Sequence, residues 1–326
     1  MRRILDKKLL ADAAKRAGLT ALPSWEPTGP DEVARLAPDL SYPILIKRRT
    51  HVYEAINHKG VLVRASKDLP SAYTRFLRTH MARRGSLAVD QDSSMPFLQQ
   101  FAGDESEGVC SISGYIDRTG QLFVTRCSAK VYQRSHPMGV GVCFESRSDD
   151  PDLSRAVRAL CAELSYFGIF EVEFIRFNDS WAVIDFNPRL FNQLALDIRR
   201  GMPLPWLACL EALGRYQPLS DAVAAAQSEP EDDKTVWCDS FTLRAILAAR
   251  TLTHRVSKAD AAYWRGWLAT NAARTVDVAK DDDDPLPGFV HMVSEIRLGL
   301  RAIPKFLRLT PRVNADPIAP SVDVRP

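Results

Sequence analysis

No uncharged apolar run in this 326-residue chain approaches the roughly 18 residues that cross a bilayer, so no membrane span is expected. The opening MRRILDKKLLADAAKR has basic residues but no unbroken apolar stretch, and it does not read as a signal peptide. An excess of one charge sign is also missing. Lys and Arg number 43 against 40 Asp and Glu, a formal net charge of +3, with both signs well mixed. That balance argues against a nucleic-acid arm or an acidic tail. Cys110, Cys127, Cys143, Cys161, Cys209 and Cys238 are widely spaced, with no CxxC pair and no histidine at zinc-finger spacing. They read as reduced, mostly buried thiols of a cytoplasmic protein. No internal repeat is visible.

What is present is apolar content of 46%, enough for a large core and two or more domains. Ile4, Leu5, Leu9, Leu10 and Ala13 recur at helical spacing, and the spacing predicts one helix ending near Ala17 before Gly18. Ala21 to Trp25 reads as a short strand broken by Pro23. Tyr42 to Lys47, Gly60 to Arg64 and Met95 to Phe101 read as further strands. Asp31 to Ala37 and Leu69 to Arg83 read as helices between them. Long alternating strands follow at Val109 to Asp117 and Gln121 to Val131, then an amphipathic helix from Leu153 to Leu164. The polar segment Gln227 to Lys234 is the best linker candidate. Beyond it the chain reads as helical: Phe241 to Leu252, Lys258 to Ala273, and Phe289 to Leu309 ahead of a loose tail. The last of these sets Arg297, Arg301, Lys305 and Arg308 opposite Val293, Ile296, Leu300 and Ile303. Packing on the body is the commoner meaning of such a pattern, with a membrane surface as the alternative.

The densest chemistry lies in Glu171-Val172-Glu173-Phe174-Ile175 and Ile184-Asp185-Phe186-Asn187-Pro188-Arg189, two otherwise apolar segments joined by the turn Asn178-Asp179-Ser180. Strand residues two apart share a face, so Glu171 goes with Glu173, and Asp185 with Asn187. Paired as a hairpin, Glu173, Asp185 and Asn187 offer two carboxylates and an amide oxygen. That donor set suits Mg²⁺, which takes one or two carboxylates and fills its other positions with water and phosphate oxygens.

Taken in order, the polar anchors resemble the ATP-grasp superfamily, and within it the bacterial carboxylate–amine ligases. The resemblance covers roughly Leu5 to Leu213 and rests on Asp6-Lys7 leading to Ala17-Gly18-Leu19 and Pro23, on Tyr42 to Lys47, on Leu98-Gln99-Gln100-Phe101-Ala102-Gly103, and on the acidic hairpin with its Asn-Pro-Arg end. It implies an α/β (α+β) fold of two lobes gripping ATP. Residues 1–226 would form the ATP-grasp domain, with a smaller nucleotide lobe at about 40–102 and a larger metal lobe at about 103–215. Residues 227–326 would be a helical extension with a loose tail. The resemblance further implies that Lys7 and Lys47 contact ATP phosphates and that backbone groups of Gln99, Gln100 and Phe101 read the adenine edge. An acid soon after would hold the ribose. Asp104, Glu105 and Glu107 compete for that role, with Glu107 preferred by its distance from Gly103. Mg²⁺, or Mn²⁺ in its place, would sit on Glu173, Asp185 and Asn187.

Arg189 would stabilise the transferring phosphoryl group or hold the acceptor carboxylate. Lys130 and Arg134, flanking a loop with Gly139 and Gly141, would touch the γ-phosphate or substrate, and His136 is a candidate base toward an amine. The implied reaction is ATP-dependent joining of a small carboxylate to an amine through an acyl phosphate. The alternative is a nucleotide-binding regulatory or partner subunit without ligase turnover. Three departures stand out. Asp185 occupies a position where glutamate is usual, and Lys47 is followed by Arg48-Arg49 rather than proline. Relatives also carry a Rossmann-like domain of roughly a hundred residues ahead of the Asp-Lys helix. That domain is expected either to be clipped from this sequence or to be supplied in trans, and a homodimer is expected because relatives often dimerise.

Overall fold

In this computed structural model the described residues are 2–50, 60–81, 95–103, 108–135, 138–230, 234–278, 280 and 283–308. The expected first helix is two: α1 (Arg2–Leu5) and α2 (Lys7–Arg16). Asp6 separates them because its backbone is extended and its carboxylate accepts from the amides of Lys8 and Leu9, which starts a new helix. The expected strand around Pro23 is likewise two, β1 (Thr20–Ala21) and β2 (Ser24–Trp25), and they belong to different sheets. Proline has no amide hydrogen to continue a ladder, and Pro23 is where the chain passes from one sheet to the other.

The smaller sheet is completed after α3 (Pro30–Leu36) by β3 (Ile44–Lys47), β4 (Val61–Val63), α4 (Leu69–Met81) and β5 (Phe97–Gln100). Its strand order is β2-β5-β3-β4. Val33, Ile44, Ile46, Leu69, Tyr73 and Leu98 form the core between this sheet and its two helices.

The larger sheet is built from β6 (Val109–Ile116), β7 (Phe123–Gln133) and β8 (Gly141–Arg147). After α5 (Pro151–Leu164) it continues with β9 (Gly168–Phe177) and β10 (Ser180–Asn187). One face packs on α2 and α5 through Ile112, Phe170, Val172, Phe174, Leu160 and Ala13. Helices α6 (Leu194–Arg199), α7 (Leu204–Ala212) and α8 (Tyr216–Ser228) cover one end of the other face, around Tyr115, Val124 and Leu207.

The region after 227 differs from the wholly helical expectation. β11 (Val236–Cys238) pairs antiparallel with β8, and after α9 (Ser240–Leu252) and α10 (Lys258–Asn271) the strand β12 (Thr275–Asp277) pairs with β11. Val-Trp-Cys and Thr-Val-Asp are short β-prone runs whose partners lie far away in sequence, so no local periodicity announces them. The large sheet thus runs β1-β10-β9-β6-β7-β8-β11-β12. Helix α11 (Leu286–Arg308) closes the described chain. Five of the cysteines are buried and Cys209 is exposed, all six as free thiols.

Candidate functional site

The face of the large sheet opposite α5 carries the acidic side chains, and a β-bulge is what puts them there. From Ser180↔Phe177 to Val183↔Phe174 the β9–β10 register is regular, with Val183 and Phe174 in the core. Continued without a break it would set Asp185 against Val172, inside that core. The irregularity between Val183 and Asp185 instead makes Asp185 face Glu173 and Asn187 face Glu171. One inserted residue flips every following side chain to the other face. On the neighbouring strand Ser111 stands opposite Glu173 and Ser113 opposite Glu171, so the polar face continues inward.

Each of these groups is tied down. Lys7 Nζ donates to Asp185 Oδ1 at 2.9 Å across 178 positions of sequence, and the lysine side chain is only 9% exposed. Lys7 is aimed by its surroundings. Its amide donates to the Arg49 carbonyl at 3.0 Å, while Arg49 Nε pairs with the buried Asp6 carboxylate at 2.7 Å. The Asp-Lys helix start is therefore latched to the loop after β3. Asn187 Nδ2 donates to Glu171 Oε2 at 3.0 Å and to Glu173 Oε1 at 3.3 Å. Its Oδ1 accepts from Arg189 at 3.4 Å, and the exposed Arg189 also donates to the Leu190 carbonyl. Glu171 is held by Gln193 as well. Burial, with the adjacent Glu173 charge, pushes its carboxyl up to about 8, so it is protonated at neutral pH. It supports Asn187 by accepting a hydrogen bond from its amide.

On the smaller sheet, Lys47 Nζ at the end of β3 donates to the Gln99 side chain at 3.0 Å. Two of the backbone N–H groups expected at the adenine edge have partners: Gln100 N–H donates to the Pro23 carbonyl at 2.8 Å and Phe101 N–H to the Pro43 carbonyl at 3.1 Å. The Gln99 backbone lies on a central strand paired on both sides. The backbone of Ala102 and Gly103 is the next available. Ala102 and Ile184 pack on a small apolar cluster of Leu22, Val109, Ile175 and Ala182, beside the acids. Asp104, Glu105, Glu107 and His136 lie outside the described residues.

Lys130 is buried on β7, where it faces Val109 and Phe144. Arg134 begins a tight loop in which its amide donates to the Val140 carbonyl at 2.9 Å, and its guanidinium pairs with Glu295 of α11 at 2.9 Å. The two glycines of that loop stand where no Cβ fits. A Cβ on Gly139 would stand 2.6 Å from Ser135 backbone atoms, and one on Gly141 would stand 2.3 Å from the Phe144 ring.

As a cation site the face is incomplete by itself: among the described residues no three His, Cys, Asp or Glu side chains form a closed cage. Glu173 and Asp185 nevertheless face each other, and turning the Asn187 amide over would add its oxygen. All three donors are hard oxygens, which fits Mg²⁺ that arrives with further ligands of its own.

No protein-family model matches the sequence, and none of the curated proteins matches it. Solved structures do. The chain is similar to Rhizobium etli pyruvate carboxylase T882A with acetyl coenzyme A, at 18% identity and a TM-score of 0.57 over 71% of this chain and 20% of that one. It is similar to the biotin carboxylase domain dimer of Hydrogenobacter thermophilus 2-oxoglutarate carboxylase, in complex with MgADP, ADP and bicarbonate, at 16% identity and a TM-score of 0.51. That match covers 70% of this chain and 46% of the other. For a Campylobacter jejuni biotin carboxylase bound to a β,γ-ATP ligand the values are 16% identity, a TM-score of 0.50, 70% and 47%. The chain thus spans less than half the length of each of these proteins. At such identities the likeness shows the fold. No described helix is long and apolar enough to cross a membrane.

Proposed function

On the ATP-grasp fold that this chain adopts, we propose that Mg²⁺-ATP binds between the two sheets and that the chain activates a small carboxylate as an acyl phosphate for attack by an amine. The observation that carries the reading is the bulged hairpin. It places Glu173, Asp185 and Asn187 on one face, with Lys7 already within hydrogen-bond reach of Asp185. A structural surface would have little use for two facing carboxylates backed by a protonated third.

In this reading Lys47 and Lys7 neutralise phosphate oxygens, and Lys7 turns from Asp185 toward the nucleotide as it arrives. The adenine lies against the apolar cluster at Val109, Ile175 and Ala102 and is read by the backbone beyond Phe101. Glu173, Asp185 and Asn187 would hold Mg²⁺ (or Mn²⁺), which when bound supplies charge neutralisation at the β- and γ-phosphates. Phosphoryl transfer depends mainly on positioning and charge neutralisation, which these residues provide. A carboxylate oxygen attacks the γ-phosphorus and the bond to the β-bridging oxygen breaks, releasing ADP. The amine then attacks the acyl carbon, the bond from that carbon to the phosphate oxygen breaks, and inorganic phosphate leaves with the proton that the nitrogen gives up. Arg189, exposed beside Asn187, holds the acceptor carboxylate or the moving phosphoryl group, as its planar fork permits. Lys130 and Arg134 extend the positive lining. The bicarbonate and MgADP named for the Hydrogenobacter domain support this chemistry. A homodimer belongs to the same reading, and the Hydrogenobacter domain is itself named as a dimer.

A second reading is a nucleotide-binding partner subunit without turnover. It is favoured by the engagement of Arg134 with Glu295, which holds that arginine on the C-terminal helix. An ADP-release assay with Mg²⁺-ATP and pooled small carboxylates and amines separates the two. Release stimulated by a carboxylate–amine pair supports the ligase. Nucleotide binding with no stimulated ADP rejects it in favour of the partner subunit.

A further inference from the structure

Helix α11 faces the body with its polar side and turns its apolar stripe outward. Two contacts set this orientation: Glu295 with Arg134 at 2.9 Å and His291 with Asp239 at 3.0 Å. At about 100° per residue, His291 and Glu295 lie on one side of the helix, and Phe289, Val293 and Ile296 fall on the far side. There Phe289 is 59% exposed, Val293 45% and Ile296 49%. The same stripe continues in the sequence through Leu300, Ile303 and Leu307. This reverses the expectation that the apolar face of the last helix packs on the protein.

The charge pattern says what the stripe is for. Arg297, Arg301, Lys305 and Arg308 recur in the sequence at three- and four-residue spacing from the middle of the helix onward. The one acid within the helix, Glu295, is committed to Arg134. Asp283 and Asp284 precede the other end. An apolar stripe bordered by cations alone matches a surface that is anionic outside and apolar just beneath, as anionic phospholipids are. A protein groove would need the same two properties along the whole C-terminal half, and a second copy of α11 packed parallel would bring like charges together. We propose that α11 is a peripheral anchor to an anionic phospholipid surface. The helix lies in the interface, with Phe289, Val293 and Ile296 entering the boundary between headgroups and acyl chains. The basic residues sit among the phosphates.

The test is co-sedimentation of the full chain with vesicles of phosphatidylcholine alone and of an equal mixture of phosphatidylcholine and phosphatidylglycerol. The expected result is partition onto the mixed vesicles that falls as salt is raised, with little onto phosphatidylcholine. Arg297→Gln with Arg301→Gln should weaken the partition about 25-fold, at about fivefold per charge removed. Val293→Asp with Ile296→Asp should abolish it. Val293, Ile296 and Arg297 are exposed, and circular dichroism should show the fold unchanged. No partition onto the mixed vesicles would overturn the proposal, as would equal partition onto both kinds or partition indifferent to the substitutions. So would a dimer in light scattering that these substitutions dissociate, which would make a second copy the occupant.

Discussion

Lys7→Met separates what the Lys7–Asp185 pair does for stability from what Lys7 does for nucleotide. Two unit charges 2.9 Å apart attract by about 6 kcal/mol at an effective dielectric of 20. Little of that survives as net stability. The Asp185 side chain is 36% exposed and regains water when the lysine goes, while Lys7, 9% exposed, is relieved of a desolvation cost. The expected loss is about 1 kcal/mol, a fall in melting temperature of about 2 °C. Nucleotide affinity should respond far more. A charge-assisted hydrogen bond from an ammonium to a phosphate oxygen is worth about 1.5–3 kcal/mol, so the variant should bind Mg²⁺-ATP roughly 10- to 150-fold more weakly. Calorimetric titration alongside thermal unfolding reads both numbers on one preparation. An unchanged dissociation constant in a folded variant would refute the role given to Lys7 and leave the pair as a structural contact.

Asp6→Ala removes a helix cap and the partner of Arg49 from a buried position, and should cost about 3 kcal/mol in urea unfolding; a loss under about 1 kcal/mol would mean that the latch to the β3 loop is weak. Burial pushes the Asp197 carboxyl up to about 7 from an ordinary 3.8, so the folded chain keeps that proton longer than the unfolded one. Its contribution is therefore fullest below pH 3.8 and is lost as pH rises toward about 7, a change on the order of 4 kcal/mol. Asp197→Asn should flatten the stability–pH curve over that window, and an unaltered slope would show that another group sets it. Glu295→Gln releases Arg134 from α11 and should tighten Mg²⁺-ATP binding a few-fold in the same titration; weaker binding would show that Glu295 helps to hold Arg134 in place for the nucleotide.

The acidic hairpin was legible because alternation is a local property: Val172, Phe174 and Phe186 mark the core side, and Asn178 accepts the left-handed turn between the strands with φ of 54°. Its bulge was not. Nothing in Val183-Ile184-Asp185 announces the extra residue, yet without it Asp185 would point into the core. Long-range pairings were equally hidden. β1 joins β10 and β11 joins β8 through two- and three-residue ladders that no window of sequence reveals. Of the residues named from the order of motifs, Lys47 ends a strand of the smaller sheet, and Glu173, Asp185 and Asn187 share a hairpin of the larger one. What the sequence hides is the network between them. Asp6 binding Arg49, Gln193 binding Glu171, and the prior use of the Gln100 and Phe101 amides all depend on contacts across the fold.

The most direct test of the account is a calorimetric titration of the chain with ATP, with and without Mg²⁺, beside the double variant Glu173→Gln with Asp185→Asn. The account predicts saturable binding that depends on Mg²⁺ and is lost in a double variant that still unfolds cooperatively. ATP binding equal in the two proteins, or no binding by the folded wild-type chain, would contradict it.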